Sequence, residues 1–291
     1  MTLARSPLSL YPNMPERSDT LSDQADGLRR MFSHSRARFV PVVSNPHLAF
    51  GGVLLERLCT AFAERQANTL VVDAAERAGE AGEMALVDLG QCIERLSARV
   101  SYLPARGLPI RFVDSAGSTQ GLLHAIAEAA PQFNVVLVHA SAPELCRLFS
   151  QRRAASAWSE APCPIVLAED RPGSVTHAYA AMKLLTQRAG LSVFDLVLGA
   201  APNSPRVERI AAQLATCADG FFGAVLRDWA RVDPAGDAIE PPSLALCRLV
   251  ASRLGREPAS RPTRPAHPAA RGAALSTAGS ASPSASRTLF S

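Results

Sequence analysis

Between residues 39 and 225 the chain alternates short, nearly continuous apolar runs with longer stretches whose apolar positions recur every three to four residues. The short runs predict strands at Phe39 to Val43, Thr69 to Asp73, Val100 to Leu103, Ile110 to Asp114, Asn134 to His139, Ile165 to Ala168, Phe194 to Leu198 and Gly220 to Val225. The longer stretches predict helices over about 52–65, 86–97, 119–129, 142–151, 174–188 and 204–216, and a last one over Ser243 to Leu254. Strands that are apolar on both faces belong to a sheet covered on both sides. The alternation therefore predicts an α/β domain over 38–255, a mostly parallel sheet with helices on both faces. In such sheets ligands bind beyond the carboxyl ends of the strands, so the loops there are where chemistry is sought.

The two ends break the pattern. Residues 1–20, with Pro7, Pro12 and Pro15 and no period, predict disorder. Residues 21–33 predict a short helix: Ser22 can cap it, and Leu21, Ala25, Leu28 and Phe32 form one apolar stripe opposite Asp23, Gln24, Asp26, Arg29 and Arg30. A helix that short orders only against something else. Residues 256–291 are rich in Pro, Ala, Ser and Arg and cannot build a core.

Charge follows the same division. The tail holds five arginines against Glu257, which equals the formal charge of +4 for the whole chain of 291 residues. The body is neutral, so the basic balance implies no nucleic-acid partner. No apolar run approaches the roughly 20 residues that cross a bilayer, and the N-terminus shows no signal-like apolar region, so a cytoplasmic protein is expected. The six cysteines show neither C-x-x-C nor metal spacing, which predicts buried thiols and no metal site.

The loop after the first strand decides the rest. Val42 to Val53, a helix and then Thr69 to Asp73 have the layout of a phosphate-binding loop unit, in which glycine-rich amides and a lysine cradle phosphates. The chemistry is missing from that layout. Pro46 has no N–H, Leu48 and Phe50 put bulk where a phosphate would lie, and Lys183, the single lysine of the chain, is far downstream.

Three stretches carry a resemblance. Asp23 to Arg30 looks like a D-Q-A-x-x-L-R motif; Val42 to Asp73 runs without a gap against V-T-S-G-K-G-G-V-G-K-T and the L-D-A-D that follows it; Arg171 to Lys183 resembles E-P-T-S-I-T-D-A-Y-A-L-I-K. In these the sequence resembles the MinD/ParA-type deviant Walker ATPases, and among them the FlhG (FleN) flagellar-number regulators, over about 20–255. The resemblance implies ATP and magnesium as the family's cofactors and an FlhF-type, signal-recognition-like GTPase as partner. It also implies flagellar basal-body or regulatory proteins as further partners, and a site peripheral to the inner membrane. Against the family pattern its two lysines are Pro46 and Gly51, its glycines are Asn45, His47, Leu48 and Phe50, and its magnesium-binding threonine is Gly52. Asp73 keeps one aspartate, Ala75 replaces the next, His139 stands at the Walker B aspartate, and Gly199 at the base-reading asparagine. The expectation is a pseudo-ATPase without cofactor that regulates flagellar number or placement by protein contacts.

The resemblance assigns Asp23, Gln24, Ala25, Leu28 and Arg29, with Ser174, Thr176, His177 and Tyr179, to partner binding, and Gln24 to the partner's nucleotide site, where a glutamine can orient the attacking water. Otherwise Gln24 is a polar residue on a packing helix. Asp73 reads as a metal or water ligand or as a solvated strand-end carboxylate. His139 reads as a histidine filling the vacated magnesium position or as a general base beside Ser141 or Ser115, which would make the chain a nucleotide hydrolase built on Asp73, His139 and the 115–119 loop; that loop reads equally as an anion site or an ordinary turn. The last helix, with Leu246, Leu249 and Val250, either docks on the domain or lies on a membrane as part of a scaffold.

Overall fold

The computed structural model describes residues 37–150, 162–237 and 239–254. The chain runs through β1 (Arg38–Val43), α1 (Gly51–Glu64), β2 (Thr69–Asp73), β3 (Glu94–Arg95), β4 (Val100–Pro104), α2 (Leu108–Arg111), α3 (Gln120–Ala129), β5 (Val135–Ala140), α4 (Ala142–Leu148), β6 (Ile165–Glu169), α5 (Pro172–Ala189), β7 (Val193–Gly199), α6 (Val207–Phe222), β8 (Val225–Val232) and α7 (Leu244–Leu254). The strands make one sheet in the order β3-β4-β2-β5-β1-β6-β7-β8. All neighbours are parallel except β3, which pairs antiparallel with β4.

Alternation along each strand splits the core in two. Val40 and Val42 of β1, Leu137 of β5 and Leu167 of β6 pack with Leu54, Leu58 and Phe62 of α1 and with Leu246, Leu249 and Val250 of α7. Val43, Val138, Val166 and Leu196 point the other way, against Leu122 and Ile126 of α3, Met182 and Leu185 of α5, and Ile210 and Leu214 of α6. Each such side chain contributes about 1.5–3 kcal/mol by leaving water. Both faces are covered, as the apolar runs predict.

Three sequence expectations are corrected. Residues 86–97 form no α-helix but two 3-10 turns, Glu83–Leu86 and Gly90–Cys92, followed by β3. The Asp88 carboxylate accepts the Gln91 N–H at 3.2 Å, and Leu89 enters the core while Leu86 and Val87 are exposed, so the apolar positions there do not form one helical face. The strand expected at Ile110 to Asp114 is α2, which begins after Gly107 at φ +76° and carries Pro109 in its first turn, where proline's missing N–H costs nothing. The strand expected from Gly220 is the end of α6, which stops at Gly223 (φ +65°), and β8 begins at Val225. Arg227, Asp228 and Arg231 disguise β8 because it is an edge strand, where charge is tolerated.

The last helix docks on the domain rather than presenting its apolar face outward. Arg253 of α7 and Asp195 of β7 form a buried ion pair, Arg227 of β8 reaches the same carboxylate at 2.7 Å, and Arg248 pairs with Asp228 at 2.7 Å. Among the described residues no helix is long and apolar enough to cross a membrane. The expectations for 1–20, 21–33 and 256–291, and with them Asp23, Gln24, Ala25, Leu28 and Arg29, lie outside the described residues.

Candidate functional site

The loop between β1 and α1 is held by side chains from three other segments. Asn45, buried where the resemblance has a glycine, donates through Nδ2 to the Leu167 carbonyl (3.1 Å) and to the carbonyl and hydroxyl of Ser174 (3.0 Å each). Its Oδ1 accepts the His47 N–H at 3.1 Å. Leu48 turns into the core with 4% exposure. Glu169, 3% exposed at the end of β6, accepts the Phe50 N–H on Oε1 at 2.8 Å. That places a carboxylate of the chain itself at the N-terminus of α1, where the helix dipole favours an anion. Arg77, from the segment after β2, donates to the Leu48 and Pro46 carbonyls at 3.3 and 3.2 Å.

A triphosphate with magnesium does not fit this loop. Phosphate needs outward-facing amides and a cation, whereas here carbonyls face a guanidinium and the helix-end amide faces Glu169. A side chain at Gly199 would be tightly placed: a Cβ there would lie 3.2 Å from Leu54 and 3.3 Å from Glu169 Cγ, and these would have to yield by a few tenths of an ångström. The position at which the resemblance has its base-reading asparagine instead packs against the carboxylate that fills the loop.

Asp73 and His139 meet because β2 and β5 are neighbours in register, Asp73 opposite His139. Val71 and Leu137, two residues earlier on each strand, face α1, so the alternation sends both polar side chains to that same face. His139 Nδ1 lies 2.9 Å from Asp73 Oδ1, and both side chains are mostly buried. Asp73 Oδ1 also accepts the Ala75 N–H (3.2 Å), and Oδ2 accepts the Tyr102 hydroxyl (3.3 Å). The Tyr102 phenol is pushed up to about 12, chiefly by burial and then by the Asp73 charge, so it stays a donor.

These groups line one side of a cavity of about 590 Å³ between α1 and α5, walled by Leu48, Leu55 and Leu184 and also reached by Pro46, Gly51, Gly52, Arg77, Ser141 and His177. Ser115 and its loop are not part of it, which corrects the pocket expected from Asp73, His139 and Ser115. Asp114 Oδ1 accepts the Ala116 and Ser118 N–H groups at 2.9 and 2.8 Å, so that loop is a turn closed by its own carboxylate. Ser141 lies at the cavity but caps α4, donating to Glu144 Oε2 at 2.8 Å.

Of the residues expected on α5 to meet a partner, Thr176 is exposed, His177 and Tyr179 are half-buried, and Ser174 is fully buried, its hydroxyl accepting from Asn45 and from the Glu169 N–H (2.9 Å). Ser174 therefore braces the start of α5 and presents nothing outward. His47 and His177 meet edge to face with centroids 5.7 Å apart, and the His177 imidazole is held below its ordinary value by burial first and by His47 second. Tyr179 meets Phe222 of α6 edge to face, with centroids 5.4 Å apart. Glu169, Arg77 and Tyr102 are absent from the sequence reading. The one signal that could have found Glu169 is its position directly after the strand expected at Ile165 to Ala168, two residues before the motif that starts at Arg171.

No family model matches the chain, and no curated protein matches it in sequence. Solved structures do. The McdA protein of Cyanothece, in a complex with ATP, is similar with a TM-score of 0.53 at 10% identity, covering 76% of this chain and 98% of that one. Cobyrinic acid a,c-diamide synthase from Mycobacterium smegmatis, with bound ADP and magnesium, is similar with a TM-score of 0.50 at 14% identity, covering 75% and 94%. MinD from Aquifex aeolicus follows with a TM-score of 0.48 at 13% identity, covering 76% and 98%. At such identities the likeness is one of architecture: the chain has the mostly parallel α/β fold of the MinD/ParA-type P-loop ATPases.

Proposed function

We propose that this chain is a pseudo-ATPase on that fold, a FlhG-like regulator of flagellar number or placement that acts through protein contacts and not through nucleotide turnover. The observation that carries the first half is the Glu169 carboxylate on the Phe50 N–H, in a loop that has no lysine and is pinned by Asn45 and Arg77. Losing charge-assisted phosphate contacts worth about 1.5–3 kcal/mol each weakens ATP by several orders of magnitude. The test is titration with ATP and magnesium: micromolar, magnesium-dependent binding sinks the reading. Lysine restored at Gly51 alone does not rescue binding, because Pro46, Phe50 and Glu169 remain.

The flagellar half is supported by the Asp23 to Arg30 and Arg171 to Lys183 motifs. On this reading residues 21–33 dock on an FlhF-type GTPase through Leu21, Ala25, Leu28 and Phe32, as an amphipathic helix enters a groove, and Gln24 orients the attacking water. Single-turnover GTP hydrolysis with the peptide 20–35 separates the roles: Gln24→Ala lowers the stimulated rate and keeps binding, while Leu28→Asp abolishes binding. Equal stimulation by the wild-type and Gln24→Ala peptides refutes the assignment of Gln24. A cytoplasmic site, at most peripheral to the inner membrane, belongs to the same reading. So do contacts with basal-body or regulatory proteins, for which the outward side of α5 at Thr176 and Tyr179 is the proposed surface.

A further inference from the structure

The cavity beside the filled loop holds chemistry that a protein-contact regulator does not use. Asp73 is fixed by three donors, namely Tyr102, the Ala75 N–H and His139, and a carboxylate accepts only, so the proton of the neutral imidazole sits on Nδ1. His139 Nε2 is then an acceptor, and among the described residues no partner is found for it, while His139 itself lines the cavity. An imidazole held in one tautomer by a buried carboxylate, with its second nitrogen open to a pocket, is the arrangement of a general base. Ser141 is not its nucleophile, because that hydroxyl is engaged with Glu144 in the cap of α4. The remaining nucleophile is water.

The surroundings select the electrophile. Glu169 already takes the Phe50 amide at the end of α1, and Arg77, the cation that lines the cavity, is engaged with the Leu48 and Pro46 carbonyls, an arrangement that does not favour a phosphate ester. Leu48, Leu55 and Leu184 offer an apolar wall, and about 590 Å³ suits a small organic molecule. Gly51 and Gly52, in the first turn of α1, also line the cavity and add no bulk to it. An amide leaving group would need stronger activation than one imidazole supplies.

We infer that His139, positioned by Asp73 and Tyr102, is the general base of a hydrolytic site for small uncharged carboxylic esters. His139 Nε2 takes a proton from water as the water oxygen bonds to the carbonyl carbon and the carbonyl π pair moves onto oxygen. That pair then returns, the ester C–O bond breaks, and the imidazolium gives its proton to the leaving alkoxide. The products are a carboxylic acid and an alcohol, and His139 is neutral again.

The test uses the full chain with p-nitrophenyl butyrate, without ATP or magnesium, so that its outcome is independent of the pseudo-ATPase reading. Saturable hydrolysis is expected, with p-nitrophenyl phosphate cleaved no faster than in buffer. His139→Ala lowers kcat about 100-fold, as loss of a general base does, and added imidazole restores part of the rate. Asp73→Asn lowers kcat with little change in KM. His124→Gln, on the exposed side of α3, leaves the rate unchanged. Ala180→Phe, an exposed position at the cavity, raises KM for longer acyl chains without touching the core. No hydrolysis above buffer across acyl lengths, or equal rates for wild type and His139→Ala, overturns the inference.

Discussion

Asn45 shows how one side chain can replace a ligand's mechanical role. Its buried amide ties the β1 loop to β6 and to the first turn of α5. Asn45→Ala leaves those acceptors unmet at a cost of about 1–3 kcal/mol. Asn45→Asp, of the same shape, costs more, because its oxygens face two carbonyl oxygens that need a donor; urea unfolding of the two variants ranks them. His177 makes a pH prediction. Its folded-state pKa is lowered, so the unfolded chain binds the proton more readily. The stability linked to it is present above the ordinary imidazole value of 6.5 and is lost as pH falls through the lowered folded value. His177→Asn flattens the stability profile between about pH 7 and 5. A profile as steep as that of the wild type removes His177 as the cause.

At the scale of elements, α7 is the piece whose place is set by charge as well as by apolar burial. Asp195, with no exposed surface, receives both Arg253 and Arg227, and Arg38 donates to the Arg253 carbonyl at 2.8 Å. Removing one partner of a buried pair strands the other charge, so Asp195→Ala costs about 3–5 kcal/mol. The loss concentrates in α7: amide exchange there rises before exchange in β5 does. Uniform acceleration across the sheet would mean that the pair stabilises the whole domain and not the helix. The same contacts explain why an apolar helix next to a basic tail reads ambiguously in the sequence. Leu246, Leu249 and Val250 suit a lipid surface and a protein core equally, and the partner that decides between them, Asp195, lies 58 residues before Arg253.

For the molecule as a whole, the filled loop predicts insensitivity to nucleotide. On the proposed reading ATP finds no lysine at the Pro46 position through which it could bridge two copies of the chain. Sedimentation velocity with and without ATP and magnesium is therefore expected to give the same species, whatever its oligomeric state. A shift on adding ATP contradicts both the loop geometry and the proposed function.

The alternation of apolar and polar positions by itself determined the fold class, most helices and the central strands, because burial on both faces of a sheet demands a pattern that any buried strand shows. Pro46 and the lack of a nearby lysine, which carry the expectation that phosphate chemistry is missing, are likewise covalent facts of the sequence. Where local sequence carried mixed signals it misled: Pro109 next to Ile110 hid a helical turn, and the charges of β8 hid an edge strand. The candidate site was legible only as separate residues. Asp73 and His139 are 66 positions apart, and their meeting depends on β2 lying beside β5, which follows from strand order and not from either strand's composition. Glu169 reaches Phe50 across 119 positions for the same reason. Only the tertiary structure decided that a carboxylate occupies the end of α1 and that an imidazole faces the cavity, because both depend on side chains brought together by packing elsewhere in the chain.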